Sequence, residues 1–478
     1  MRIVSIVAGA GGMYCGACLH SSALVAALRR AGEDALLVPA YTPVRMETDD
    51  EALASRRIVF GGLNVYLQEN WALARHAPGI LDRLLDHPAL LRWLGRWSGS
   101  TRPERLGPLC VSMLQGEEGR QRRELRKVID WLRRDLRPDV VHLSTALLAG
   151  MAGPISRALG VPVVATLAGE DGFVDRLPEP YASQARAAMG RGCRQMAALV
   201  ALNRYYADFM ASYLNVARER IHVIEPGIHL AGVGTRPRSA SAEQTMRSAG
   251  PTIGFLSRIC PDKGLHVLAA AFTLLFQSMA NEQGDFSASG QGDSSCGVAA
   301  EGERDSPSLG MPRLVAAGYL ADVDRPYLAE TVSRLEARGL GSRFEYLGCL
   351  TREEKFAFLE SLDVMCLPSV LPESKGLPVL EAWACGVPVI VSDHGALAEL
   401  VRDTGGGLLV EPDKPASLAS AIRRILNDPA EAVALGRRGQ AAVRSRYTAE
   451  RMARDMIALY RRVAGEGNLA EQGSPVGR

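Results

Sequence analysis

Lysine is scarce in this chain of 478 residues: only five of its 55 basic side chains are Lys, and the rest are Arg. Neither sign of charge is in excess, because 53 acidic residues leave a net charge of +2. The strong field of a dedicated nucleic-acid binder is therefore missing, and no nucleic-acid partner is expected. No apolar run reaches the roughly 18–20 residues that span a bilayer. Nine cysteines, an odd number scattered from Cys15 to Cys385, do not make the paired framework of a small secreted domain. The opening, Met1 to Ala8, turns to glycine before an apolar signal core can form. These absences make the cytoplasm the expected compartment. They also make each lysine a less casual choice than an arginine.

What is present is globular: 47% hydrophobic and 23% charged residues, in a length that allows two to four domains of about 100–200 residues. Arg2 to Ala8 reads as a buried strand, Gly9 to Gly12 as a loop, Leu19 to Arg30 as a helix stopped by Gly32, and Ala35 to Pro39 as a second strand. Further strands are expected at 140–143, 161–166, 198–202 and 221–224. From about 233 to 250 the chain turns to Gly, Ser, Arg and Gln without periodicity, which reads as a linker. A strand, loop and helix then restart at Pro251, with later strands at 313–316, 344–347, 364–367, 387–391 and 407–410. Two openings of this kind, about 250 residues apart, predict an α/β chain of two tandem Rossmann-like domains facing a central cleft. The expected boundaries are 1–232, a linker at 233–250, and 251–445. A helix at 446–464 returns to the first domain, ahead of a tail at 465–478. Asn281 to Pro312, polar and nearly free of large apolar residues, is expected to be a disordered insertion in the second domain.

The most informative stretch is Pro372 to Ile390, where Glu373 and Glu381 stand eight positions apart. Gly376 allows a close backbone approach, and a helix beginning near Leu377 offers unpaired N–H groups to an anion. Glu381 falls on the apolar side of that helix, where a carboxylate needs donors such as ribose hydroxyls; a salt-bridged helical Glu is the structural alternative. Upstream, Arg258 and Lys263 flank a turn closed by Gly264, and a cation pair at a strand's carboxyl end suits a diphosphate.

This stretch resembles the Glu-x7-Glu motif of retaining family-4 glycosyltransferases, whose two-Rossmann-domain fold is called GT-B. The likeness extends through Leu347-Gly348, 362–369, 391–401, 405–412 and 254–264, and it is looser in the first domain. It implies transfer of a sugar from a nucleotide-diphosphate sugar donor to a hydroxyl acceptor, with retention of configuration and no metal cofactor. It implies that Arg258 and Lys263 clamp the diphosphate, that Glu373 lies beside the sugar, that Glu381 holds the ribose, and that the amides of Gly376 and Leu377 lie between. It also places Gly12 against the diphosphate. Two departures stand out. Ser374-Lys375 replaces an expected Gly-Phe, and Lys375 adds a cation that suits an acidic sugar or an extra phosphate contact, with a side chain turned to water as the structural alternative. A His expected after the strand ending at Thr166 is replaced by Glu170 and Asp171, either of which is a candidate sugar contact.

Other features carry less. Gly9 to Gly16 lacks the third glycine of a dinucleotide fingerprint, and the second strand ends without a ribose-binding acid, which disfavours NAD. Cys15 and Cys18 have redox spacing but no further ligands. Asp322 and Asp324 resemble a metal-binding pair, yet Asp324 is placed to cap the helix that follows. Residues 76–97 set Leu and Trp93 and Trp97 among Arg83, Arg92 and Arg96, a face that suits an anionic inner-membrane surface or a lipid-linked acceptor; a packed helical excursion is the alternative. The rival functions are a sugar phosphorylase or epimerase of the same fold, and a non-catalytic nucleotide- or sugar-binding protein.

Overall fold

The computed structural model describes residues 1–9, 16–40, 103–233, 250–288 and 310–472. Gly12, Cys15, residues 76–97, most of the 233–250 linker, residues 289–309 and the end of the tail lie outside the described residues. The chain divides into two compact units. The first comprises Met1–Leu230, Glu373–Leu377 and Arg444–Arg478, and the second comprises Ala231–Pro372 and Pro378–Val443.

The first unit holds a parallel sheet of β1 (Arg2–Val7), β2 (Asp34–Pro39), β3 (Val140–Leu143), β4 (Val163–Thr166), β5 (Ala198–Ala201) and β6 (Ile221–Val223), in the order β2-β1-β3-β4-β5-β6. Apolar residues alternate across it because successive side chains point to opposite faces. Val4, Ile6, Val141, Leu143 and Val163 join one core with the helices between Pro103 and Leu214. Ile3, Val7, Val140 and Val164 join another with Leu24 and Leu28 of the helix Gly16–Arg30. The helix Ala449–Gln472 closes that second core through Met452, Met456 and Tyr460. Covering both faces is what a parallel sheet requires, and it explains why these strands read as continuous apolar runs.

The second unit repeats the plan with β7 (Thr252–Leu256), β8 (Arg313–Ala317), β9 (Phe344–Tyr346), β10 (Val364–Leu367), β11 (Val389–Ser392) and β12 (Gly407–Val410). Their order is β12-β11-β10-β7-β8-β9, all parallel. The order of strands reverses between β7 and β10, so the loops leaving those two parallel neighbours open at the topological switch point. Trp383, fully buried, anchors the helix Leu377–Ala384 by donating from Nε1 to the Gly406 carbonyl at 2.8 Å.

Two local expectations are corrected. The helix after β7 runs from Leu265 to Ala288, so the first eight residues of the segment assigned to a disordered insertion are helical. Polar composition does not stop a helix that carries no proline and only one interior glycine at that point. Asp324 takes the N-cap position of the helix Arg325–Glu336, but its side chain makes no capping bond. A 3-10 turn over Asp322–Asp324 already leads into that helix, and Asp322 accepts from Arg325 Nε at 2.8 Å.

Candidate functional site

In the second unit the loop leaving β7 is fixed on both sides. Ser257 N donates to Ala317 O at 3.2 Å and Ile259 N to Tyr319 O at 2.8 Å, tying it to the segment after β8. On the other side Val370 N donates to Asp262 O at 2.8 Å, tying it to the segment after β10. Ile259 is fully buried, whereas Arg258 beside it is exposed. The loop thus sinks its apolar residue and presents its guanidinium. Lys263 ends the 3-10 turn Pro261–Lys263. Gly264 then turns the chain with φ +77°, and a Cβ there would meet Pro368 O at 1.9 Å. Only glycine fits, so the two loops at the switch point touch through backbone. Arg258 and Lys263 are brought to the same strand end.

Gly376 has φ +78° and immediately precedes the helix Leu377–Ala384, so the sharp entry expected from sequence is present. Glu381 lies one turn inside. Its Oε1 is 2.7 Å from Lys355 Nζ, in a pair whose side chains are only 13% and 8% exposed. Lys355 belongs to the helix Arg352–Glu360, opened by a capping box between Thr351 and Glu354. Sequence reasoning did not single out Lys355, and its signal was the scarcity of lysine: Lys263, Lys355 and Lys375 are three of the five.

In the first unit the loop after β4 separates the two candidate acids. Glu170 is 1% exposed. Its carboxylate accepts from Thr145 Oγ1 and Ala146 N at 2.8 Å each, and from Ala168 N at 2.9 and 2.8 Å on its two oxygens. This acid braces the loops after β3 and β4. Asp171, half-buried at the start of the turn Asp171–Val174, accepts from the Tyr206 hydroxyl at 2.6 Å. Burial and the two neighbouring carboxylates raise the Tyr206 pKa well above its ordinary value. Tyr206 and Asn203 were not singled out from sequence. Asn203 is nonetheless a polar residue between a strand and a helix, the usual signature of an N-cap, and its Oδ1 accepts from Tyr206 N at 2.8 Å.

Residues Glu373–Leu377 group with this first unit. Asn203 Nδ2 donates to Ser374 O at 2.8 Å, and Lys375 Nζ donates to Ala168 O. Lys375 is thus half-buried and engaged with the loop after β4. Below lie two buried imidazoles. His20 is depressed to about 3, first by burial and then by His142 and Lys375; His142 is depressed to about 4 by burial. His142 is held between Tyr460 OH and Thr166 Oγ1, the latter at 2.8 Å. Cys18 is buried on the first turn of the helix Gly16–Arg30.

Two α/β units, each with a six-stranded parallel sheet, define the GT-B architecture. The same fold occurs in Anabaena Alr3699/HepE, crystallised in complex with UDP and glucose, with a TM-score of 0.62 and 16% identity over 97% of this chain and 100% of that one. It occurs also in sucrose-phosphate synthase from Thermosynechococcus elongatus, with a TM-score of 0.68 and 18% identity over 98% and 100%. Residues 93–231 match the family model for Glycosyltransferase Family 4, and residues 307–442 match that for Glycosyl transferases group 1. The chain is 28% identical to D-inositol 3-phosphate glycosyltransferase of Jonesia denitrificans over 84% of its own length and 91% of that protein's. It is also 28% identical to 2-deoxystreptamine glucosyltransferase of Streptomyces kanamyceticus, over 68% and 77%. The chain belongs to the family-4 glycosyltransferases of GT-B fold. Among the described residues no helix is long and apolar enough to cross a membrane.

Proposed function

We propose that this glycosyltransferase takes its sugar from a nucleotide-diphosphate donor and passes it to a hydroxyl acceptor with retention of configuration. The carrying observation is the loop after β7, braced at the switch point with Arg258 exposed and Gly264 seated against Pro368. Arg258 and Lys263 meet the diphosphate and stabilise it as negative charge grows on the leaving group. The N–H groups of Gly376 and Leu377 add the partial positive charge of a helix start. Glu381 takes the ribose hydroxyls and Glu373 lies beside the sugar. The departing phosphate oxygen receives the acceptor's proton, so neither a separate side-chain base nor a metal is required. The UDP bound by the Anabaena protein supports a nucleoside diphosphate as the leaving group. The inositol phosphate and deoxystreptamine in the relatives' names support a hydroxyl-bearing small molecule as acceptor.

The test is turnover of a panel of UDP- and GDP-sugars, following released nucleotide with and without polyol acceptors. Release from one donor is expected. Arg258→Ala and Lys263→Ala are each expected to cut kcat/KM by roughly 100-fold or more, the scale of losing one transition-state charge partner. A donor hydrolysed equally well by both variants removes these cations from the mechanism.

A further inference from the structure

We infer that Tyr327 is a positioning residue for the loop after β7: its hydroxyl takes the helix start behind that loop and so sets the reach of Lys263. This rests on the diphosphate role proposed above for Arg258 and Lys263. The observation is where the two ends of the loop are tied. At its entry Ile259 N donates to Tyr319 O at 2.8 Å. At its exit His266 N donates to the Tyr327 hydroxyl at 3.0 Å. Both partners come from one stretch of the second unit, the segment leaving β8 and the first turn of the helix Arg325–Glu336. Arg258 stands just before the first tie, and Lys263 lies between the two.

The first N–H groups of a helix have no partner inside it. Here Gly264 O accepts the first helical bond, from Leu268 N at 3.1 Å, which leaves the amides of Leu265 and His266 over. In anion-binding loops such amides meet the phosphate. In this chain a phenol oxygen meets them instead: burial pushes the Tyr327 pKa up to about 12, and hydrogen bonds from the His266 and Leu265 amides pull the other way. The phenol keeps one proton to give. His266 Nδ1 lies 2.9 Å away and accepts it, with the two rings edge to face. Burial lowers the His266 pKa; Asp413 and Glu330 oppose this and Arg334 assists it, so the ring stays neutral and able to accept. Tyr327 therefore holds the helix start with both the acceptor and the donor of its hydroxyl in use. A loop fixed at both ends has its cation aimed before the ligand arrives, and little ordering is left to be done on binding. With the helix start taken, the loop offers a diphosphate the side chains of Arg258 and Lys263 rather than these amides.

The experiment measures kcat/KM for the best nucleotide sugar, with the thermal midpoint, in wild type, Tyr327→Phe, Lys263→Ala and the double variant. Tyr327→Phe keeps the ring and removes the hydroxyl. It is expected to lower kcat/KM about 10-fold or more. In the Lys263→Ala background the same change is expected to cost almost nothing further, because no cation is left to aim. A tyrosine that only stabilised the fold would lower the midpoint alike in both backgrounds and leave the losses in kcat/KM additive. Additive losses, or an unchanged kcat/KM in Tyr327→Phe, would overturn the assignment. Should Tyr327→Phe fail to fold, His266 decides. His266→Asn keeps an acceptor near the place of Nδ1 and should retain activity, whereas His266→Leu should lose it; equal activity in the two overturns the assignment as well. A wild type that turns over no nucleotide sugar, or whose turnover survives Lys263→Ala, overturns the diphosphate reading first, and is thereby distinguished from a failure of Tyr327.

Discussion

Each unit buries a carboxylate near the carboxyl ends of its strands, and the two are stabilised in opposite ways. In the second unit Glu381 has a cation: Lys355 stands at 2.7 Å and shares its burial. In the first unit Glu170 has no cation among its hydrogen-bond partners in the described residues; neutral N–H and O–H groups from two loops converge on it. An ion pair joins two side chains and leaves the backbone free, here between the helices Arg352–Glu360 and Leu377–Ala384. A carboxylate held by backbone amides is a tertiary device, because it fixes the paths of the loops that donate to it. The first unit thus uses a buried charge to shape loops, and the second pairs one with a lysine on a neighbouring helix.

The sharpest way to break this contrast is to remove each acid's support. Glu170→Ala leaves Ala146 N, Ala168 N and the Thr145 hydroxyl unsatisfied together, and about 3–5 kcal/mol of stability should go. Glu170→Gln, which keeps the shape and one acceptor oxygen, should cost roughly half as much. Denaturant unfolding of both variants checks this, and equal losses would mean that the charge, not the acceptor geometry, does the bracing.

In the second unit Lys355→Ala strands a buried carboxylate and should cost a similar ~3–5 kcal/mol. Lys355→Met combined with Glu381→Leu should recover most of that stability; on the proposed ribose role of Glu381 it should also abolish nucleotide affinity. Calorimetric binding of nucleoside diphosphate to the folded double variant decides the point.

A smaller effect separates the units by pH. His20 and His142 are neutral in the folded first unit, with pKa values depressed to about 3 and about 4. The unfolded chain binds protons at these sites below about pH 6.5, where the folded state does not. Stability from these groups is therefore present above pH 6.5 and lost as pH falls towards 4. The thermal midpoint should drop over that window, and His20→Asn should flatten the drop; an unchanged slope would clear His20 of the effect.

Much of the architecture was legible because parallel strands buried on both faces are unbroken apolar runs. Every strand of both sheets was expected within two residues of its observed start, from Arg2–Val7 to Gly407–Val410. The loop closed by Gly264 and the helix entry after Gly376 were legible for a related reason, since glycine marks places where backbone must turn or touch. The helix through Ala288 was not, because polar residues on a helix look the same as polar residues in a loop.

The candidate site divides along the same line. Composition and spacing alone determined the α/β class, the repeated strand-loop-helix plan, and the glycine-marked turns at Gly264 and Gly376, for these are properties of runs and intervals along one chain. Only the tertiary structure told Glu170 from Asp171, neighbours of like charge that were equal candidates. One is buried under converging amides and the other is held half-open by Tyr206, 35 residues on. It likewise paired Lys355 with Glu381 across 26 residues. What a charged side chain does depends on which donors reach it, and those donors are brought by other strands.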